Sequence, residues 1–356
     1  MRSVKMFLKV FSVVILVLAI STVNLFAKEK EKNILLKMPL AFPSTLPILG
    51  EGAVYFADLV NSMDDTIKVK IFEPGKLMPA FEIHDAVSTG KVNAGYTISG
   101  YIQGKIPAAA VFSALPFGPT PEVFGSWFTV GNGSKLYQEM YDNAGFNVRV
   151  FPITIYTAET AGWYKKPIES IDDFKGLKIR FYGLGGKVLA KLGASVVLLP
   201  GAEIFPALEK GAIDATEFSM PIVDKKLGFY KIAKYNYFPG WHQPSSTFEL
   251  LINKETWNSM SPRQQAVIQT AVNATNYFTL TKSIAVQGKV LMENEEKGVK
   301  NMKFNDEIVK KLRQTWNEVL EEETAKDPFF KKVIEDQKQY FKEVNKFINY
   351  STLPFE

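Results

Sequence analysis

Two stretches of this chain alternate β-type runs with helical segments in quick succession, and that alternation restricts it to the α/β class. The first begins ILLKMPLAF, then passes through a helical segment from about Leu46 to Met63 and the period-two run IKVKIFEPG into the short helix FEIHDAVSTG. The second is GLKIRFYGLGGKVLAKLGASVVLLPGAEIFPALEKGAIDATEFSMP. Ligands of open α/β sheets bind beyond the carboxyl ends of the strands. At such ends the second stretch sets one cation, Arg180, before a glycine-rich turn, and one carboxylate, Glu217. A guanidinium fork matches the two oxygens of a carboxylate, so Arg180 is a candidate receptor for a small organic acid.

At 356 residues the chain exceeds what one hydrophobic core usually serves, so two lobes are expected. Residues 28–152 with about 240–285 read as lobe I, and about 153–239 with part of 286–325 as lobe II. The run FNVRVFPITIYTAETAGWYKKPI reads as strand, loop and strand passing between them, a natural hinge. Strands about Tyr235 to Phe238 and Thr247 to Asn253 cross back. From Ser261, an N-cap followed by Pro262, one long helical pattern runs through EEKG and spans the lobes. Two further amphipathic helices cover Asp306 to Ala325 and Pro328 to Ile348.

Residues 1–27 carry Arg2, Lys5 and Lys9 ahead of an apolar run from Val10 to Ile20, the pattern of a secretory signal peptide. The run is shorter than the roughly 20 residues of a spanning helix. Ala27 suits a cleavage site, although Leu25 is large for one. Without this leader the balance is 39 basic to 37 acidic residues, or +2, which gives no electrostatic case for nucleic acid. Cysteine is absent, which excludes disulfides, thiolate metal sites and lipid attachment at a cysteine. The expected location is the periplasm, with the leader cleaved and no lipid.

Catalytic signatures are thin. There are only two histidines, His84 and His242, with no HExxH and no GxSxG. GLGG at Gly183 to Gly186 lacks the rest of a nucleotide fingerprint and reads as a tight turn. No enzyme and no catalytic cofactor is expected. For Arg180 itself, alternation in KGLKIRF leaves two readings open: a ligand-facing cation, or a surface residue paired with Asp172 or Asp173. Glu217 could equally be an ordinary loop carboxylate, and Trp163 and Trp241 ordinary core.

The strings ETAGWYKKPIESIDDFKGLKIR, GLGGKVLAKLGASVVLLPGAEIFPALEKGAIDATEF and KLGFYKIAKYNYFPGWHQP resemble the DctP-type solute-binding proteins of tripartite ATP-independent periplasmic (TRAP) transporters. Within that family they are similar to the branch for α-keto acids and lactate. PAFEIHDAVSTGKVNAGYT and ALPFGPTPEV extend the resemblance into lobe I. It implies a two-lobed periplasmic binding fold that closes on a 2-oxo acid such as pyruvate, or a lactate-like acid, and delivers it to a membrane permease. A sensor subunit presenting the same lobes to a receptor is the alternative.

The resemblance further implies that Arg180 grips the ligand carboxylate and that a sodium or calcium ion bridges ligand and protein. The implied metal ligands are Glu159, where relatives carry Gln, with Glu217, the Phe218 carbonyl and Gln243. A second carboxylate at 159 favours a divalent ion such as calcium. Alternatively Glu159 is protonated or grips a polyol or amine, and no metal binds. Phe218 stands where relatives carry Trp, keeping an aromatic wall without the indole donor. Phe42, Tyr96, Ser99, Tyr101, Trp163 and Trp241 are the implied walls. The helix in residues 326–356 resembles one through which some members form homodimers; its apolar positions Phe329, Phe330, Val333, Ile334, Phe341, Val344 and Phe347 exceed one packed stripe. Packing on its own lobes is the other reading.

Overall fold

The computed structural model describes residues 31–351; the leader read at 1–27 and the last five residues lie outside the described residues. β1 (Ile34–Pro39) and β2 (Ile67–Phe72) pair in parallel, joined by the helix Leu49–Met63. Their period-two sequences bury Ile34, Leu36 and Met38 on one and Ile67 and Val69 on the other. β10 (Ser245–Asn253) lies between β3 (Ala94–Thr97) and β4 (Val148–Thr157), antiparallel to both. A bridge from Leu40 to Tyr96 connects the two pieces into the order β2-β1-β3-β10-β4.

The second sheet runs in the order β11 (Lys300–Lys303), β9 (Tyr235–Phe238), β5 (Gly162–Tyr164), β8 (Ala215–Thr216), β6 (Lys178–Arg180) and β7 (Ser195–Val197). β7, β6 and β8 are mutually parallel, with the helices Gly183–Lys191 and Gly201–Glu209 as their crossovers. The two sheets and their helices form the two-lobed α/β architecture expected.

The long helix differs from expectation in one place. It starts as read, with Ser261 Oγ accepting from Gln264 N and Gln264 Oε1 accepting from Ser261 N. It packs on β4 and on Leu49–Met63 as Pro262–Ala285, breaks at Val286, and resumes as Gln287–Glu295 against the helix Pro221–Leu227. At the break the Gln287 side-chain amide donates to Ser283 O at 2.8 Å, the carbonyl that an unbroken helix would offer to a backbone N–H. Its Oε1 accepts from Ile222 N at 3.1 Å, so the break serves the second sheet's helix.

Asp306–Lys326 packs on Gly183–Lys191, and Pro328–Ser351 on Pro121–Thr129. Phe330, Val333, Ile334 and Phe341 of the last helix are buried within the chain, and Trp127 Nε1 donates to Asp336. Phe329 and Val344 are half-buried, leaving Phe347 exposed at 72%.

Candidate solute and cation site

β6 ends at Arg180, which registers with Thr216 of β8, so the next residue on that strand, Glu217, arrives beside it. Glu217 N donates to Arg180 O at 3.1 Å, and Arg180 Nη1 donates to Glu217 Oε1 at 2.5 Å and to Glu217 O at 2.8 Å. Arg180 Nε donates to Leu199 O at 3.2 Å. The arginine is 2% exposed, and the Asp172 and Asp173 alternative does not hold: Asp172 pairs with Lys175, and Asp173 accepts from the Glu169 and Ser170 amides. Nη2 makes no hydrogen bond to the described residues. The fork is therefore half committed to the protein; the Phe218 ring lies 5.2 Å from the guanidinium carbon, and both residues line the cavity.

A second carboxylate is delivered by the turn after β4. Glu159 N donates to Gln243 O at 3.1 Å, and Tyr156 OH donates to Glu159 Oε1 at 3.0 Å. The facing loop, Phe238 to Gln243, presses so close that a Cβ on Gly240 would sit 2.3 Å from the Glu159 carbonyl oxygen. Glycine is required there. This approach puts His242 Nε2 at 3.6 Å from Glu159 Oε2 and 3.4 Å from Glu217 Oε2.

The result is a buried set of polar atoms without hydrogen-bond partners: Glu159 Oε2, Glu217 Oε2, Gln243 Oε1 and both ring nitrogens of His242. Candidate ligand atoms of Glu159, Glu217 and His242 lie within 4.8 Å of one another. Orphaned buried acceptors are costly unless an ion or donor completes them, so the donor set fits a cation held mainly by oxygens. Burial pushes the Glu159 carboxyl up to about 7, with the Glu217 charge adding to it against the opposing pull of His242 and Tyr156. Burial also opposes ionisation of Glu217, but Arg180, His242 and the Tyr182 N–H outweigh it and hold that carboxyl below its ordinary value. For His242 the two carboxylates overcome burial and raise its affinity for a proton.

Above this set lies a small cavity, with about 20 Å³ open to the centre of a water molecule. That is room for little more than one water. Of the residues singled out in the sequence, Phe42, Tyr101, Glu159, Arg180, Phe218 and Gln243 line it. Glu217 lies beneath, holding Arg180. The structure does not bring the others to the lining. Ser99 Oγ donates to Ala109 O, and Tyr96 OH to Leu49 O. Trp163 Nε1 donates to Asp224, and Trp241 stacks on Phe181 with its carbonyl taken by Phe117 N.

Tyr156, Tyr182 and Phe248 line the cavity without having been read from the sequence, and His242 completes the cluster. Tyr182 was within reach, two residues beyond Arg180 in the same strand direction. Tyr156 and Phe248 come from the crossing strands β4 and β10, whose mostly apolar residues pass for core.

The family model for bacterial extracellular solute-binding protein, family 7, matches residues 42–327. A monocarboxylate 2-oxoacid-binding periplasmic protein of Nostoc sp. is 36% identical over 325 residues, 91% of this chain and 88% of that protein. Among solved structures, a TRAP transporter solute-binding protein of Bordetella bronchiseptica superposes with a TM-score of 0.87 at 29% identity, covering 90% of this chain and 95% of that one. It is described as a mixed-occupancy dimer with copurified calcium and picolinate at its active site. A TRAP periplasmic solute-binding protein of Pseudoalteromonas atlantica, with bound sodium and pyruvate, gives 0.86 at 31% identity over 90% of this chain and 97% of that one. Among the described residues no helix is long and apolar enough to cross a membrane. With its two lobes, its buried arginine and a family match spanning most of its length, the chain belongs to the TRAP solute-binding proteins, bacterial extracellular solute-binding protein family 7.

Proposed function

We propose that this protein binds a small 2-oxo or 2-hydroxy monocarboxylate, pyruvate being the type, and hands it to a TRAP membrane permease without chemical change. The observation that carries the reading is the adjacency of Arg180, with Nη2 unclaimed, to the orphaned acceptors of Glu159, Glu217 and Gln243. Arg180 Nη2 takes a carboxylate oxygen of the solute. Glu159, Glu217, Gln243 and the Phe218 carbonyl hold a cation, which when bound neutralises the acidic cluster and offers positive charge to the solute's remaining oxygens. Phe42, Tyr101 and Phe218 supply apolar walls suited to a methyl group. The relatives named for 2-oxo acids, and those crystallised with calcium or sodium beside pyruvate or picolinate, support this pairing of anion and cation.

The lobes are assigned as 28–152 with about 240–285, and 153–239 with part of 286–325. The free end of the last helix, with Phe347 and Tyr350 at 72% and 88% exposed, is the surface assigned to pairing with a second copy. Light scattering at rising concentration tests it, and a monomer throughout removes the assignment. The function itself is tested by mass spectrometry of the ligand that leaves natively purified protein on mild denaturation. A small 2-oxo or 2-hydroxy acid is expected; a sugar or an amine overturns the reading.

A further inference from the structure

One residue of the cavity wall, Tyr182, bonds both to the Arg180–Glu217 pair and to the helix Ala109–Ser113. Tyr182 follows β6, and its backbone N–H donates to Glu217 Oε1 at 2.6 Å, inside the Arg180 pair. Its hydroxyl crosses to the other lobe and donates to Ser113 Oγ at 2.8 Å. Ser113 Oγ donates in turn to Ala110 O at 2.9 Å. The Ser113 carbonyl accepts from Ser246 Oγ at 3.0 Å, and Ser246 Oγ accepts from Gln243 Nε2 at 3.3 Å. Ser113 thus receives one bond chain from the arginine side of the cavity and another from Gln243.

The surroundings are shaped for this tyrosine. A Cβ on Gly100 would lie 1.9 Å from the Tyr182 hydroxyl oxygen, so only glycine lets the ring seat. Tyr101 meets the same ring edge-on at 6.0 Å between centroids. Tyr182, Ser113, Ser246 and Gln243 are buried, where a direct hydrogen bond replaces water on both partners.

We propose that Tyr182 is the latch of the closed state: its hydroxyl, seated over Gly100 on Ser113, holds the lobes together and ties that closure to occupancy of the Arg180 site. This rests on the proposed binding of a small monocarboxylate between closing lobes. A solute oxygen on Arg180 orders the pair with Glu217. Glu217 fixes the Tyr182 backbone, and the side chain is then aimed across the cleft. Tyr182 is a positioning residue, acting on the solute through closure and through the pair it braces.

The chain has no cysteine, so exposed Lys91→Cys and Lys210→Cys, one on each lobe, accept spin labels cleanly. Distances between them are measured with and without pyruvate and calcium, and pyruvate dissociation is followed by stopped flow. The unsubstituted latch is expected to shift to the short distance on adding pyruvate. Tyr182→Phe and Ser113→Ala should each speed dissociation by about two- to tenfold, the range one net hydrogen bond supplies. Gly100→Ala should lose the short distance, and adding Tyr182→Ala, which relieves the clash but removes the hydroxyl, should not restore it in full. Unchanged melting temperatures separate these effects from misfolding. Wild-type closure and dissociation in Tyr182→Phe, Ser113→Ala and Gly100→Ala overturn the latch. If pyruvate moves nothing in the parent, the solute assignment fails instead. The latch is then judged by the unliganded short-distance population, which must fall in Gly100→Ala or the latch is overturned too.

Discussion

Arg180 and Glu217 meet at 2.5 Å, Nη1 to Oε1, with both side chains at or below 2% exposure. A buried ion pair costs more to break than it contributes when formed, because the surviving charge stays out of water. Arg180→Ala should therefore remove the rise in melting temperature caused by pyruvate and also lower the unliganded stability, by about 3–5 kcal/mol. Differential scanning with and without pyruvate separates the two effects. Retained pyruvate stabilisation removes Arg180 from the site.

In the proposed cation site, Glu159 is the second carboxylate beside Glu217. Glu159 and Glu217 bring two buried carboxylates together beside His242 and Gln243, a set that favours a doubly charged ion. Glu159→Gln should shrink the advantage of calcium over sodium by on the order of tenfold or more. Competition of the two ions, followed by pyruvate affinity, checks it; an unchanged preference places the cation elsewhere.

β10 carries another buried acid, away from the cavity. Glu249 on β10 accepts from Tyr137 OH and Tyr141 OH, each at 2.7 Å, and lies 2.6 Å from His84 Nε2. Its partners lie 108 to 165 residues away in the chain, so this network clamps β10 to the helices around it. Tyr137→Phe should cost about 1.5–3 kcal/mol, the worth of a hydrogen bond to a charged group. Urea unfolding measures it, and a loss within experimental scatter would show that the network contributes nothing net.

Asp64 carries the acid sensitivity of the first lobe's edge. Its Oδ1 accepts from Thr66 Oγ1 and Thr66 N, both at 2.7 Å, and Arg263 lies 3.3 Å from Oδ2. The Thr66 hydroxyl first, then its amide and Arg263, hold the carboxyl below its ordinary value against burial. A lowered folded value means the stabilisation is full above about pH 4 and is lost as pH falls through the folded value. The stability gap between the parent and Asp64→Asn should thus close on acidification below about pH 4, read from urea midpoints. A gap that widens there contradicts the assignment.

Arg180 and Glu217 were legible in the sequence because each ends a short strand, and strand ends are local features. Their direct pairing was not legible, since it depends on the parallel register of β6 and β8. Trp163 and Trp241 looked as much like walls as Tyr101 does, but the pleat and the Phe238–Gln243 loop turn them onto Asp224 and Phe181. The break at Val286 is equally silent: no proline marks it, Gly288 just beyond it lies within the resumed helix, and only the distant Ile222 amide explains Gln287. Tyr182 and His242 show the same limit, because what they touch lies on another element.

The proposed site binds an anion and a cation together, and calorimetry of pyruvate into chelator-treated protein tests this most directly. Binding with one site per chain should strengthen markedly when calcium is restored and should vanish in Arg180→Ala. Equal affinity with and without any cation would contradict the paired site, as would no heat from any small 2-oxo or 2-hydroxy acid.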